Sequence, residues 1–514
     1  MGSMEQQSIR KIVIVGGGTA GWMTAAAMAK ILPRTIKIKL IESDLIGTIG
    51  VGEATIPTLI AYNNLLGLNE DEFIRETQGS FKLGIEFCNW GRLGERYFHG
   101  FGKSGRNQPL TRFYHCWLKM HQLGKAPPLD HYSINNAAMH AGKFMRATPN
   151  MAHSPLADIN HAFHFDASLY AKFLRRFSEK HGVQRIEGRI VDTTLRGADG
   201  FIESVTLEGG AKHEGDLFID CSGMAGLLIE KSLHAGFEDW SHWLPCNRAI
   251  AVPCESTAPL LPYTRATAHQ AGWQWRIPLQ HRTGNGHVFS SNFTNEAEAE
   301  ATLMKNLDGK PSADPRLIKF TSGKRKKMWL KNCVAIGLAG GFMEPLESTS
   351  IHLVQTAIVR LIEFFPDLGF EQVEIDAYNR QSDFEYERIR DFLVLHYHQT
   401  ARDDSEFWNY CRNMSIPASL QEKMDLYASR GRIFRESHEL FAEESWLQVL
   451  LGQGLQTRGY HALVDQRSEK EIAELLHNVQ SVVGKCVQAM PTHAEFIAAT
   501  CAANSVALQE TAPV

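Results

Sequence analysis

Ile12-Val13-Ile14-Val15-Gly16-Gly17-Gly18-Thr19-Ala20-Gly21 decides the fold class. A run of β-branched residues without polar alternation suits a strand buried on both faces of a parallel sheet. Gly16, Gly18 and Gly21 then permit a tight turn, close approach of backbone to a pyrophosphate, and close packing of helix on sheet. The Ala-rich stretch from Thr19 to Ile31 suits the helix that follows, whose first N–H groups and positive dipole end face the phosphates. Ile36 to Ile41 reads as the second strand and ends at Glu42, a carboxylate placed to accept ribose hydroxyls. A bare GxGxxG is a weak signal; with strand, helix and strand-end acid around it, a dinucleotide site is expected.

Further along, Asp166 caps an expected helix in which Leu169, Phe173, Leu174 and Phe177 line one face, and Gly182 supplies its left-handed stop. Strand-like runs follow at Arg185–Leu195, Ile202–Leu207 and Asp216–Asp220, with the turn Gly197-Ala-Asp-Gly200 between the first two. Asn332 to Gly337 is a late apolar strand. From about Glu371 the pattern is helical. Residues 1–8 read as a tag or disordered start with the native start at Met4. Residues 9–370 read as an FAD-binding module with inserted substrate-binding elements, and 371–514 as a helical region packed on it without a clean linker. The fold class expected is α/β: a GxGxxG, flavin-monooxygenase-like FAD module with a β-meander/substrate region and a helix-rich C-terminal region.

The 514-residue chain carries 53 basic and 57 acidic residues, net charge −4, so bulk electrostatics point neither to nucleic acid nor to a membrane surface. Lys324-Arg325-Lys326-Lys327 reads as a solvated turn. Nine scattered cysteines, odd in number and without a CxxC pair, suit a reduced cytoplasmic protein and neither a disulfide framework nor a structural metal site. No secretory signal and no apolar run of about 20 residues is seen.

A second signal is Trp273-Gln-Trp275-Arg-Ile277-Pro278, which spends two tryptophans on six residues. This WxWxIP element resembles the signature of flavin-dependent halogenases of the tryptophan-halogenase family. Other segments carry the same resemblance: Gly50-Val51-Gly52-Glu53-Ala54-Thr55-Ile56-Pro57 (a flavin-covering strap), Phe81-Lys82-Leu83-Gly84, His99-Gly-Phe101-Gly102, Asp216-Leu-Phe-Ile-Asp220-Cys-Ser-Gly223, Gly337-Leu338-Ala-Gly340-Gly341 and Glu344-Pro-Leu-Glu347-Ser-Thr349-Ser350-Ile351. It spans about residues 9 to 465. By it, FAD would lie on Gly16, Gly18, Thr19, Ala20, Gly21, Glu42, Val51, Ala54, Ile190, Leu338 and Ile351. Lys82 and Glu347 would be catalytic, Thr349 and the Ser350 N–H would cradle halide, and His99 and Phe101 would sandwich a flat aromatic. Trp273, Trp275 and Pro278 would wall substrate off the flavin. No metal is implied.

Unaided by the resemblance, each of these has a plainer reading: a Gly/Pro loop, a surface lysine, two core indoles. The apolar neighbours Phe81, Leu83, Ile85 and Phe87 already argue that the Lys82 stem is buried, where a lysine becomes a competent donor or nucleophile. The family commonly has Gly after the threonine, where this chain has Ser350, so the φ/ψ freedom and width of the halide cradle are in question. The tyrosine and glutamate that grip the amino-acid part of free tryptophan in that family are not placed in this sequence, which argues for a substrate lacking that group or for one the sequence does not name.

The activity implied is FADH2- and O2-dependent halogenation of an electron-rich, indole-type aromatic. Halide becomes hypohalous acid, which passes to Lys82, and Glu347 stabilises the cationic ring and takes its proton. By the resemblance a separate reductase would supply the reduced flavin; the lack of a second GxGxxG leans the same way, though a chain that reduced its own flavin could bind NAD(P)H without one. The alternatives are an FAD-dependent aromatic hydroxylase, against which WxWxIP and the Lys82/Glu347 motifs speak, and a non-catalytic flavin-binding protein. Natural substrate, ring position, halide preference and oligomeric state are not legible.

Overall fold

The computed structural model describes residues 8–45, 52–107, 110–257 and 259–503. The chain forms two compact units, each assembled from three segments: Met1–Gln78, Phe165–Ser241 and Phe320–Glu387 in the first, Gly79–His164, His242–Lys319 and Arg388–Val514 in the second. The units are interleaved along the sequence.

The first unit is built on a six-stranded sheet. Its order is Trp329–Leu330, Cys333–Ala335, Leu217–Asp220, Lys11–Val15, Lys37–Glu42, Gln184–Glu187. All neighbours are parallel except the first pair. Val15 lies opposite Asp220, and Asp220 opposite Ala335, so three strands end in register. Their following loops therefore open at one sheet edge, the usual ligand-binding edge of such sheets. The helix Thr19–Ile31 is buried from Gly21 to Met28, which its small alanines allow.

The helix Ala167–Lys180 starts where Asp166 accepts the N–H groups of Ser168 (3.0 Å) and Leu169 (3.2 Å). Gly182 closes it at φ +96°. Its buried face centres on Tyr170, Ala171, Phe173, Leu174 and Ser178; Leu169 and Phe177 only flank that face. The run Arg185–Leu195 is not one strand. It breaks at Gly188 (φ +155°), where a Cβ would come within 2.8 Å of the Leu207 side chain. Gln184–Glu187 thus completes the parallel sheet, and Ile190–Leu195 joins the antiparallel meander with Ile202–Leu207 and Lys212–Glu214.

The basic run is not a solvated turn either. Lys324 and Arg325 lie buried on the strand Gly323–Arg325, paired with Asp383 at 2.6 Å and Glu230 at 2.8 Å; only Lys326 and Lys327 are exposed. Acids from distant segments make these cations core residues, and nothing local announces them.

The second unit holds a seven-stranded sheet ordered Arg316–Lys319, Arg248–Cys254, Thr283–Phe289, Gly272–Pro278, Thr264–His269, Gly84–Cys88, Arg96–Gly100. Helices from Arg388 onward complete it, and two of them, Glu469–Ala489 and His493–Thr500, begin with full capping boxes at Ser468/Glu471 and Thr492/Glu495. The helix at 493 does specific work. His493 Nε2 accepts the N–H of Phe81 at 3.0 Å, and its Nδ1 bonds Leu260 C=O at 3.2 Å. Phe144 stacks on Phe81 at 4.3 Å, with the edge of Phe496 at 5.5 Å. The strand Ser80–Lys82 is thereby fixed by residues more than 400 positions away, in a stretch whose sequence shows only helical pattern.

The ring of His493 must stay neutral to accept at Nε2, and burial pushes its pKa down to about 3. His164, bonded to Ser80 (3.0 Å) and Thr264 (2.9 Å), is held well below the usual range by burial and then by the charge of Lys82. A histidine depressed in the folded state stabilises fully above its unfolded value of about 6.5 and loses that contribution as pH falls toward the folded value. Each of the two should therefore cost about 1.4 kcal/mol of stability per pH unit below pH 6.5. Urea unfolding at pH 7, 6 and 5 is expected to show this slope. His493→Gln, which keeps an acceptor but cannot titrate, should reduce it by about 1.4 kcal/mol per unit, and an unchanged slope would remove His493 from the account.

Candidate active site

In the first unit the glycine turn is dictated by clashes. A Cβ on Gly16 (φ +109°) would sit 2.2 Å from Cys221 C=O, and one on Gly21 would sit 1.8 Å from Gly16 C=O. Gly17 lies beneath the Glu42 carboxylate. Gly18, by contrast, faces open space, with no atom within 4 Å of a Cβ position, and caps the helix without any side-chain bond. The first-turn N–H groups of Thr19, Ala20 and Gly21 are thus left for a ligand, which fits the pyrophosphate of FAD. Glu42 Oε1 is held by Arg185 Nε at 2.6 Å, with Arg175 at 3.9 Å.

The loops after the two aligned strands are equally ordered. Asp220 is fully buried and accepts the N–H groups of Ser222, Leu228 and Ile229 at 2.8 to 3.0 Å, which knits the Cys221–Gly223 turn. Gly223 (φ +75°) faces open space, while a Cβ on Gly337 would come within 2.8 Å of Ala20. Leu338 sits in the 3-10 turn Gly337–Ala339. Ala54 is buried on the short strand Gly52–Ala54; Val51 lies outside the described residues. Ile190 packs against the cluster containing Val13, Val15 and Ile41.

Glu344 and Glu347 have no exposed surface. Ser348 takes the left-handed conformation (φ +60°), Thr349 is the N-cap, and Ser350 opens the helix Ser350–Glu363, with Ile351 buried behind it. The conformational demand therefore falls on Ser348 and not on Ser350. A helical residue needs no glycine, so Ser350 carries no φ/ψ penalty there. Thr349 Oγ1 is buried, and no hydrogen-bond partner for it exists among the described residues. A hydroxyl in that condition, at a helix N-terminus without a side-chain cap, fits an anion that would accept its hydrogen bond.

Two acids in this unit were given no role by the motifs. Glu53, half-buried, is pushed up to about 7 by burial and then by Asp166. Glu385 is held below the usual carboxylate range: burial would raise it, but the bond from His352 (3.1 Å) and the Arg360 guanidinium (2.9 Å) outweigh that.

In the second unit Lys82 is wholly buried on the strand Ser80–Lys82, opposite Ala162 on the strand Ala162–Asp166. Its Nζ lies 5.3 Å from the centre of the Phe101 ring. Phe101 is tethered by its N–H to Leu83 C=O at 2.9 Å. His99 is buried on the strand Arg96–Gly100 and packs toward Phe392 (5.6 Å) and Phe441 (6.2 Å). So the structure brings Lys82 to Phe101 and gives His99 a different set of ring neighbours.

Trp273 and Trp275 share the strand Gly272–Pro278, 6.2 Å apart, and Trp90 packs 6.3 Å from Trp273. Trp275 lies over Gly286 of the adjacent strand, where a Cβ would come within 2.1 Å of the indole. Ser80 Oγ donates to Pro278 C=O at 2.6 Å, so the last residue of WxWxIP holds the strand that carries Lys82. Ser80, His164 and His493 are the supporting residues the motifs did not reveal. Among the described residues no group of three or more His, Cys, Asp or Glu could hold a metal, and no helix is long and apolar enough to cross a membrane.

Residues 11–469 match the protein family described as tryptophan halogenase. The chain is 39% identical over 443 residues to the tryptophan 7-halogenase RebH of Lentzea aerocolonigenes, covering 82% of each chain. It is 36% identical over 442 residues to the tryptophan 6-halogenase ThaL of Streptomyces albogriseolus, again covering 82% of each. Among solved structures, a flavin-dependent halogenase from Xanthomonas campestris has a TM-score of 0.94 at 46% identity, over 97% of this chain and 99% of that one. Another, from Brevundimonas sp. BAL3, has a TM-score of 0.93 at 45% identity, over 96% and 99%. With its GxGxxG turn, WxWxIP strand and Glu-Ser-Thr helix cap all embedded in that match, the chain belongs to the tryptophan halogenase family and is a flavin-dependent halogenase, an oxidoreductase.

Proposed function

We propose that this enzyme halogenates an electron-rich, indole-type aromatic through a halogen species carried to Lys82. The observation that most supports the reading is the pairing of a wholly buried lysine with an aromatic ring, Lys82 Nζ to Phe101 at 5.3 Å, on the strand that Pro278 of WxWxIP holds. When bound, reduced FAD with O2 supplies the oxidising power that turns halide into hypohalous acid.

The chain's own residues do the rest. The first turn after Gly18 binds the pyrophosphate, and Glu42, fixed by Arg185, binds ribose. Thr349 Oγ–H and the Ser350 N–H hold the halide. Lys82 hydrogen-bonds the hypohalous acid or becomes a haloamine, and presents an electrophilic halogen to the ring beside Phe101. Glu347 stabilises the ring cation and accepts its proton. The two indoles of WxWxIP exclude the substrate from the flavin. Position, more than intrinsic reactivity, sets the outcome, because free hypohalite would lose all regiochemistry.

Lys82→Ala should lower halogenation by about 100-fold or more, the scale of a lost acid–base or relay group, with FAD binding and oxidation of reduced flavin unchanged. Product analysis beside oxygen consumption separates the two; halogenation near the wild-type rate removes Lys82 from the mechanism. Glu347→Gln should slow halogenation by about 10- to 100-fold at unaltered flavin affinity, and loss of flavin in that variant would make Glu347 a structural acid of the turn.

A separate flavin reductase is the expected partner. NADH or NADPH mixed with the purified, FAD-loaded protein should leave the flavin absorbance near 450 nm unbleached on the assay timescale, by about the uncatalysed rate. Rapid bleaching would favour a self-sufficient aromatic hydroxylase.

A further inference from the structure

The helix Ser350–Glu363 starts without the usual cap. Thr349 sits at its N-cap position, yet no side chain caps the first turn, and Thr349 Oγ1 is buried with no hydrogen-bond partner among the described residues. An N-cap threonine ordinarily spends its oxygen on the N–H of the second or third helical residue and so steadies that turn.

Here the turn is steadied from outside. His352, in the first turn of the helix, is buried and bridges two other segments of the first unit. Its Nδ1 lies 3.1 Å from the hydroxyl of Thr58, the first residue of the helix Thr58–Leu66. Its Nε2 lies 3.1 Å from Glu385 Oε1. Gln355 Nε2 donates to the Thr58 carbonyl at 2.7 Å, so Thr58 is gripped through hydroxyl and backbone together.

Glu385 holds the other side. Besides His352 it takes the Thr356 hydroxyl at 3.0 Å and the Arg360 guanidinium at 2.9 Å. His352, Thr356 and Arg360 are four residues apart in turn, which lines them along one face of the helix. The His352 ring therefore joins Thr58 to a carboxylate that is itself anchored twice more. With the first turn pinned in this way, Thr349 need not cap its own helix, and its hydroxyl is left for an anion. Without the pin, that hydroxyl gains by turning back to an N–H of its own first turn.

We propose that His352 is a positioning residue for halide: through Thr58 and Glu385 it holds the first turn so that the Thr349 hydroxyl serves the anion. The inference rests on the reading of Thr349 and Ser350 as the halide cradle.

The test uses the FAD-loaded enzyme with a flavin reductase, O2 and indole, and varies bromide. Thr58→Val keeps the side-chain shape and removes the hydroxyl. It should raise the KM for bromide by about 3- to 10-fold, the scale of one hydrogen bond. The KM for indole should stay level, and kcat should fall by less than the bromide KM rises. Thr58→Ser, which restores the hydroxyl, should return the bromide KM to within about twofold of the wild-type value. His352→Leu leaves Glu385 its bonds to Thr356 and Arg360 and should match Thr58→Val. The double variant should be no worse than the worse single one, because both changes break one bridge. A normal bromide KM in Thr58→Val and His352→Leu, a rise that Thr58→Ser does not reverse, additive effects in the double variant, or bromide and indole KM values that climb together would each overturn the proposal. Thr349→Ala distinguishes the two possible failures. If it raises the bromide KM while Thr58→Val and His352→Leu do not, this inference alone is lost; if it leaves that KM normal, the cradle reading falls and takes the inference with it.

Discussion

Everything in the first unit hangs on one close approach, the carbonyl of Cys221 lying where a side chain on Gly16 would be. That contact is possible only at a glycine with positive φ, and it welds the end of the strand Lys11–Val15 to the end of Leu217–Asp220. Because Val15, Asp220 and Ala335 are in register, three loops start from one level of the sheet. Asp220 then stiffens the second loop, and the Gly337–Ala20 contact seats the third against the helix. A parallel sheet whose strand ends are level turns local turn chemistry into a cofactor surface.

In the second unit the governing constraint is the burial of a lysine side chain. Lys82 has no solvent exposure, and its strand is held on three sides by polar bonds from elsewhere: Pro278 C=O to Ser80, His164 to Ser80, and His493 to the Phe81 N–H. Such bonds have directional geometry, so they fix where the strand's backbone lies. On the proposed mechanism Lys82 acts at one position, and misplacement by about 1 Å costs an enzyme about 100-fold.

How much of this was legible follows from how local each signal is. The helix Thr19–Ile31, the strands around it, the Asp166 cap and the WxWxIP strand are coded by neighbours in sequence, and the structure has them where the pattern puts them. The Arg185–Leu195 run misleads because β-propensity does not reveal a change of sheet at Gly188. Lys324 and Arg325 mislead because a basic run is solvated only if no distant acid claims it, and here Asp383 and Glu230 do. His164 and His493 were invisible for the same reason: His493 bonds a residue 412 positions away, and no periodicity carries such information. The backbone part of the question over Ser350 is answered by the helix start, because the left-handed residue is Ser348.

The family supplies the reaction class, and the chain supplies a buried lysine beside a ring and a buried threonine hydroxyl at a helix cap that lacks a partner among the described residues. The claim joining them is that the oxidant made on the flavin ends as a carbon–halogen bond on an indole. Mass spectrometry of the product formed from indole, bromide, O2 and enzymatically reduced FAD tests it directly. A monobrominated indole with the near-equal isotope doublet of bromine, absent without the enzyme and at one ring position, is the predicted result. A product heavier by a single oxygen, or a scatter of regioisomers matching free hypobromite, would contradict it.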